Sequence, residues 1–241
     1  MTGPLLSLAG LTKRFGGLTA VSNVSLDLAG GDLVSIIGPN GAGKTTLFNL
    51  VTGQHEPSAG RVVYKGQDIT PTPPQTRARL GLGRTFQISK TLVALTTLEN
   101  ALVGAFLREP SLTKAARKAM DVLDMVGLAG RANIKAGNLT LSERRRLEIA
   151  RALALDCEVL LLDEVMAGLN QTEVSDVIAL VRRLHGAGLT ILVIEHNLKV
   201  VRAFESRVIV LDFGRCIADG MPEDVLSDPD VVEAYLGRKR A

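Results

Sequence analysis

Residues 33–51 set the strongest constraint on how this chain can fold. Leu33-Val34-Ser35-Ile36-Ile37 is a short apolar run of strand length. Gly38-Pro39-Asn40-Gly41-Ala42-Gly43-Lys44-Thr45-Thr46 follows, and Leu47-Phe48-Asn49-Leu50-Val51 then opens a helix. The middle segment carries the full G-x-x-x-x-G-K-[ST] pattern, with Gly38, Gly43, Lys44 and Thr45 in the defining places. Glycines let the backbone curl until successive N–H groups face one anion, and the helix N-terminus adds partial positive charge. Lys44 is expected to reach the β- and γ-phosphates of a nucleotide, and the Thr45 hydroxyl to ligate Mg²⁺. Pro39, Asn40, Gly41, Ala42 and Thr46 complete the cradle.

The rest of the chain supports an α/β architecture. Leu5 to Phe15, Val24 to Leu28 and Arg61 to Ile69 read as strands, so the N-terminal third is richer in antiparallel pairing than a purely doubly wound domain. Leu82 to Gln87 reads as a short strand ending on a polar side chain. Thr96 with Glu99 forms a capping-box pattern, after which Leu98, Leu102 and Phe106 share one helical face. Ala115 to Val126 is expected to be an amphipathic helix turning Ala116, Met120 and Leu123 inward, stopped near Gly127. Thr140 with Glu143 repeats the capping box. Strand Val159 to Leu162, a helix from Gln171 to His185 and strand Leu189 to Ile194 then imply parallel pairing. A hairpin at residues 208–218 and two short helices close the chain, with Pro222 and Pro229 in first turns, Asp228 as a cap and Gly237 as a stop.

Two further strands end on residues that bear chemistry. Leu160-Leu161-Leu162-Asp163-Glu164 delivers an acidic pair to a strand end, suited to a Mg²⁺ shell at Asp163 and a general base for water at Glu164. Ile191-Leu192-Val193-Ile194-Glu195-His196 delivers His196, which could hydrogen-bond the γ-phosphate or the attacking water. His55 and His185 are expected to be surface or satisfied core residues. Gln87 is placed to bridge Mg²⁺ or water.

Composition narrows the function classes. The 241 residues suffice for one large domain with subdomains, and a net charge of +3 with 3% aromatics gives no support to nucleic-acid binding. The Arg144-Arg145-Arg146 run is expected to be a solvated helix face. Hydrophobic content of 46% and a mean hydropathy of +0.22 are high, yet no run approaches the roughly 18 apolar residues of a membrane span. No signal peptide is expected at the start. The excess apolar content points to a surface meant for a partner. Cys157 and Cys216 stand in no metal-ligand or redox spacing and fit a reducing compartment.

Taken in order, the phosphate loop, Gln87, the helix-opening motif Leu139-Thr140-Leu141-Ser142-Glu143, Leu162-Asp163-Glu164 and His196 resemble the nucleotide-binding subunit of ABC transporters over essentially the whole chain. Gly83-Arg84-Thr85-Phe86-Gln87, Arg145-Arg146-Leu147-Glu148-Ile149-Ala150-Arg151, Ala167-Gly168-Leu169-Asn170, Leu211-Asp212-Phe213-Gly214-Arg215 and Ala234-Tyr235-Leu236-Gly237 are similar to the LivG-type ATPases of branched-chain amino acid importers. The resemblance implies a P-loop NTPase of α/β class, with a RecA-like core and antiparallel β-subdomain over 1–88 and 140–241, and an inserted α-helical subdomain over 89–139. It implies ATP and Mg²⁺ as ligands, with Thr45, Gln87 and Asp163 toward the metal, Glu164, His196 and Gln87 as catalytic residues, and Phe15 stacked on adenine.

As partners it implies a second ATPase subunit of the same kind or a second copy, integral-membrane permease subunits, and indirectly a substrate-binding protein. The expected place is the cytoplasmic face of the inner membrane, bound peripherally. Urea, amide or aromatic-acid import, lipopolysaccharide-type export and a soluble ABC ATPase are the alternatives within that resemblance, and a small-molecule phosphotransferase lies outside it.

Three departures stand out. The helical subdomain is shorter than the family's, and Val165-Met166 replaces the proline expected after Asp163-Glu164. The family's L-S-G-G-Q becomes Leu139-Thr140-Leu141-Ser142-Glu143, which is expected to lie over the nucleotide of another chain. A carboxylate at Glu143 repels a γ-phosphate unless it turns back to cap its own helix. This chain's own ATP is expected to be hydrolysed normally, and the partner's site to be the weaker one.

Overall fold

The computed structural model describes residues 3–85 and 91–236. In chain order the elements are β1 (Leu6–Phe15), β2 (Leu18–Leu28), β3 (Leu33–Ile37), α1 (Lys44–Val51), β4 (Ala59–Tyr64), β5 (Gln67–Asp68), α2 (Pro74–Leu80) and β6 (Leu82–Arg84). Then come α3 (Thr97–Ala105), α4 (Leu112–Met125), α5 (Leu141–Leu153), β7 (Val159–Asp163), α6 (Gln171–Gly186), β8 (Thr190–Ile194), α7 (Leu198–Phe204), β9 (Arg207–Asp212), β10 (Arg215–Gly220), α8 (Pro222–Val225) and α9 (Pro229–Leu236). The chain divides into two compact units, one made of the residues up to Arg77 with those from His185 on, the other of Ala78–Leu184.

The first unit holds an antiparallel sheet in the order β2-β1-β4-β5, and beside it a sheet in which β3 pairs in parallel with both β8 and β9 while β10 closes on β9. All five residues of β3 and all five of β8 are buried, as expected for parallel strands covered on both faces. Because these strands run in one direction, the phosphate loop after Ile37, Glu195-His196 after Ile194, and the Asp212-Phe213 turn after β9 emerge at one sheet edge. A cluster of Ile37, Val201, Val208, Val210, Val225 and Val231 anchors that edge, with Tyr235 of α9 packed on it.

Arg77 holds the back of α1. Its side chain is 1% exposed, and its guanidinium donates to the carbonyls of Leu50 and Val51 at 2.7 Å, Thr70 at 2.8 Å and Thr72 at 2.9 Å. A helix leaves its last carbonyls without intrahelical donors, and a cation at that end also complements the dipole. Nothing in the spacing of the sequence marks Arg77 for this, because the two helix carbonyls lie 27 and 26 residues before it.

In the second unit β6 and β7 pair in parallel, so Arg84-Thr85 and Asp163-Glu164 leave at one edge. The Thr96–Glu99 and Thr140–Glu143 capping boxes both form as read. The inward faces differ from expectation. On α4 the buried residues are Ala115, Ala119, Val122 and Leu123, and Ala116 and Met120 are only half-buried. The helix starts three residues earlier than its apolar pattern indicates, at Leu112 behind Ser111. On α3 the small residues Ala101, Gly104 and Ala105 turn inward and leave Phe106 exposed. A methyl group on Gly104 would stand 2.6 Å from the Arg151 carbonyl, so α3 lies against α5 at glycine distance. Among the described residues no helix is long and apolar enough to cross a membrane.

Replacing Arg77 with Met removes four charged hydrogen bonds and leaves buried carbonyls unsatisfied. The expected loss is about 2–4 kcal/mol in urea unfolding of the full chain; an unchanged midpoint contradicts this role.

Candidate functional site

The phosphate loop takes its shape from contacts that admit no side chain. At Gly38, φ is +148° and a Cβ would lie 2.0 Å from the Leu211 carbonyl oxygen; at Gly43, φ is +99° and a Cβ would lie 2.3 Å from the Ala20 carbonyl oxygen. Both positions therefore require glycine on steric grounds. The Gly214 N–H donates to the Ala42 carbonyl at 3.0 Å, and the Ser22 N–H to the Gly214 carbonyl at 2.8 Å, which ties the loop to the β9–β10 turn and to β2. Gly43 is the N-cap of α1 and supplies no side-chain cap, which suits the N–H groups of the first turn to an anion. Lys44 is buried and donates from Nζ to the Gly38 carbonyl at 2.7 Å and the Pro39 carbonyl at 3.0 Å. The Tyr235 hydroxyl is buried without a well-aligned hydrogen bond; burial pushes its pKa up, and the nearby Gly38 backbone offsets part of the rise.

Phe15, at the end of β1, is 43% exposed. The His55 ring meets it edge-on at 5.4 Å and 77°, and Lys13 places Nζ 5.1 Å from its centroid while donating to the Glu56 carbonyl at 2.7 Å. His55 thus supports the aromatic platform instead of lying idle on the surface. His185 is satisfied, with a ring nitrogen 2.8 Å from the Gly31 carbonyl oxygen. His196 is exposed just beyond β8, and its N–H donates to the carboxylate of the buried Glu195 at 3.3 Å.

In the second unit Asp163 is fully buried. Arg84 Nη2 donates to its Oδ2 at 2.9 Å, and Thr85 Oγ1 accepts from its backbone N–H at 3.1 Å. Neither neighbour was singled out by its residue type, since both act through the parallel pairing of β6 with β7. Glu164, next in the chain, has φ +49°, a left-handed backbone that costs a non-glycine residue of order 1 kcal/mol or more and recurs at functional sites. Its carbonyl accepts from the Ala167 N–H at 3.1 Å, and the Val165-Met166 pair that stands in place of the expected proline is buried. Gln87 lies outside the described residues. No group of three or more His, Cys, Asp or Glu side chains forms a metal cage among the described residues. Thr45 in the first unit offers a hydroxyl and Asp163 in the second a carboxylate, each by itself a hard oxygen of the kind that Mg²⁺ takes.

The segment 139–143 settles around the start of α5. Leu139, Ser142 and Glu143 are buried, while Thr140 and Leu141 face solvent. Glu143 turns back: Oε2 accepts from the Thr140 N–H at 2.9 Å, its own N–H donates to Thr140 Oγ1 at 3.2 Å, and Oε1 accepts from Arg131 Nε at 2.9 Å. Burial works against its charge, but the Thr140 N–H and the Arg131 guanidinium outweigh it and hold the carboxyl below the ordinary glutamate value. The arginine run is not a solvated face. Arg144 donates to the Leu139 carbonyl, the buried Arg145 pairs with Glu148 at 3.5 Å, and Arg146 donates to the Val126 carbonyl. Arg145 is thus held inside the fold, and Arg144 and Arg146 are half-buried.

Residues 21–167 match the family model described as ABC transporter, and residues 215–241 match one described as branched-chain amino acid ATP-binding cassette transporter. The high-affinity branched-chain amino acid transport ATP-binding protein LivG of Escherichia coli K12 is 43% identical, covering 98% of this chain and 99% of its own length. The ADP conformation of MJ1267, an ATP-binding cassette of an ABC transporter, superimposes with a TM-score of 0.89 at 34% identity, over 98% of this chain and all of that one. The dimeric post-hydrolysis state of the cassette MJ0796, bound to ADP and Pi, gives a TM-score of 0.81 at 27% identity, over 90% and 98%. A complete phosphate loop at a parallel sheet edge, an acidic strand end and full-length likeness to these proteins together establish that the chain belongs to the ATP-binding cassettes of ABC transporters.

Proposed function

We propose that this chain is the ATP-hydrolysing subunit of a membrane importer for branched-chain or other hydrophobic amino acids, bound peripherally at the cytoplasmic face. The observation that carries the reading is the likeness to LivG over almost the entire length of both chains. Nucleotide phosphates enter the cradle of residues 38–46, where Lys44 exchanges the Gly38 and Pro39 carbonyls for β- and γ-phosphate oxygens. Phe15 stacks on the base. Thr45, Asp163 and Gln87 are the residues to hold Mg²⁺, which when bound draws charge from the phosphate oxygens. Glu164 takes a proton from the attacking water, and His196 donates a hydrogen bond toward the γ-phosphate.

The fold of Glu143 changes the expectation for the segment 139–143. Its charge is tied to Arg131 and to its own helix cap, which supports a competent partner site as far as the carboxylate is concerned. Thr140, Leu141 and the first N–H groups of α5 then remain for the γ-phosphate of a second cassette. The dimeric MJ0796 structure supports pairing of this kind.

Coupling to the membrane runs through the second unit. A groove of about 220 Å³ is lined by Arg84, Thr85, Val103, Gly104, Leu107 and Glu148 among others, and Val103 and Leu107 of that lining are exposed. The Arg84-Thr85 pair in its lining grips Asp163, so a permease segment seated there acts on a residue of the hydrolytic site. The helical subdomain we assign to 89–139 carries this docking face.

Glu164→Gln is expected to lower turnover of the assembled transporter by about 100-fold or more while nucleotide still binds, and the matching change in the partner cassette to cost a similar factor. A loss under threefold for Glu164→Gln rules out its role as base. Leu107→Asp is expected to abolish amino-acid uptake and co-purification with the permease while leaving nucleotide affinity of the isolated chain intact; uptake at the unaltered rate contradicts the docking assignment.

A further inference from the structure

An acid in the fifth place of a phosphate-facing motif is a problem in charge, and the fold contains its answer within one hydrogen bond. Glu143 sits in the first turn of α5, beside the N–H groups of Leu141 and Ser142 that no side chain caps. One carboxylate oxygen closes the capping box with Thr140, and the other accepts from Arg131 at 2.9 Å. Arg131 belongs to a different local element, a 3₁₀ turn at Ala129–Arg131; its N–H donates to the Leu128 carbonyl at 2.9 Å and its carbonyl accepts from the Ile134 N–H at 2.8 Å. The side chain of Arg131 is 56% exposed and that of Glu143 12%, so the cation lies on the solvent side of the acid.

We propose that Arg131 is a positioning residue for hydrolysis at the partner's site: it neutralises Glu143 and holds it against its own helix, so that the start of α5 presents N–H groups and not a carboxylate to the γ-phosphate of the other cassette. This rests on the reading of 139–143 as the segment that meets a second chain's nucleotide. The capping box alone does not suffice. It fixes one oxygen, and it leaves the full negative charge within the first turn, where it competes with the incoming phosphate for the same N–H dipoles. The arginine removes that charge from the field of the phosphate. Glutamine at this place keeps the capping box and needs no counter-ion, so the need for Arg131 exists only while residue 143 is an acid.

That dependence supplies the test. ATP turnover of the assembled membrane complex is measured for Arg131→Ala, Glu143→Gln and the double variant. Arg131→Ala is expected to lower turnover about fivefold, the effect of one surface charge a few ångströms from a phosphate left with the field of Arg146 alone, and to have no effect in the Glu143→Gln background. A fall of the same size in both backgrounds means that Arg131 acts by packing, and no fall in either means that Glu143 needs no neutralising; both results overturn the proposal. Leu141→Asp separates this from the reading beneath it. It adds a second acid at an exposed first-turn position that helices accept, and it is expected to lower turnover at least as far. If Leu141→Asp leaves turnover unchanged, the segment does not face a phosphate and the proposal falls with that reading. If Leu141→Asp lowers turnover and Arg131→Ala does not, only the role of Arg131 fails.

Discussion

The contact on which the nucleotide-facing edge depends is the approach of the phosphate loop to the carbonyls of Leu211 and Ala20. No Cβ fits at Gly38 or Gly43, and the loop is thereby pressed between the end of β9 and β2. That compression accompanies a Lys44 that donates to the Gly38 carbonyl and, together with the Ala42 N–H, to the Pro39 carbonyl. The support continues behind the loop. Arg77 closes the far end of α1 on four carbonyls, and the valine-rich cluster around Ile37 fixes the strand that feeds the loop. A cradle for a triply charged group has to be rigid before the group arrives, because flexible N–H dipoles lose their advantage over water.

The second unit solves a comparable problem for carboxylates. Asp163 is buried completely, which is tolerable only because Arg84 and Thr85 hold its side chain and backbone. Glu164 is held in a left-handed backbone one residue later, where the chain leaves the sheet. Two acids in sequence are thus given different surroundings: one fixed in the interior, the other half-buried where the chain leaves the sheet. Glu143 is a third case, an acid whose charge is removed from the place where its neighbours act.

Local signals were the legible part of the sequence. The phosphate-loop motif, both capping boxes and the acidic strand end are short contiguous patterns, and the strands and helix starts that they mark form where the pattern puts them. On α4 Leu123 is buried as expected while Ala116 and Met120 are only half-buried, and on α3 the face shared by Leu98, Leu102 and Phe106 is half-buried to exposed. Close packing against α5 selects Ala101, Gly104 and Ala105 instead, and sends Val103 and Phe106 outward. The arginine run looked solvated for a similar reason: nothing local shows that the Leu139 and Val126 carbonyls and the Glu148 carboxylate stand within reach. Arg77, Arg84, Arg131 and His55 act through contacts formed only once the chain is folded, and single-sequence patterns carry no trace of those.

The central claim is that residues 38–46 form half of a hydrolytic site, completed by another cassette. The most direct measurement is the amount of ATP that stays bound to the Glu164→Gln chain through gel filtration, alone and with its partner cassette. The account requires retention only in the paired species, at one nucleotide per phosphate loop; ATP retained equally well by the monomeric chain contradicts it.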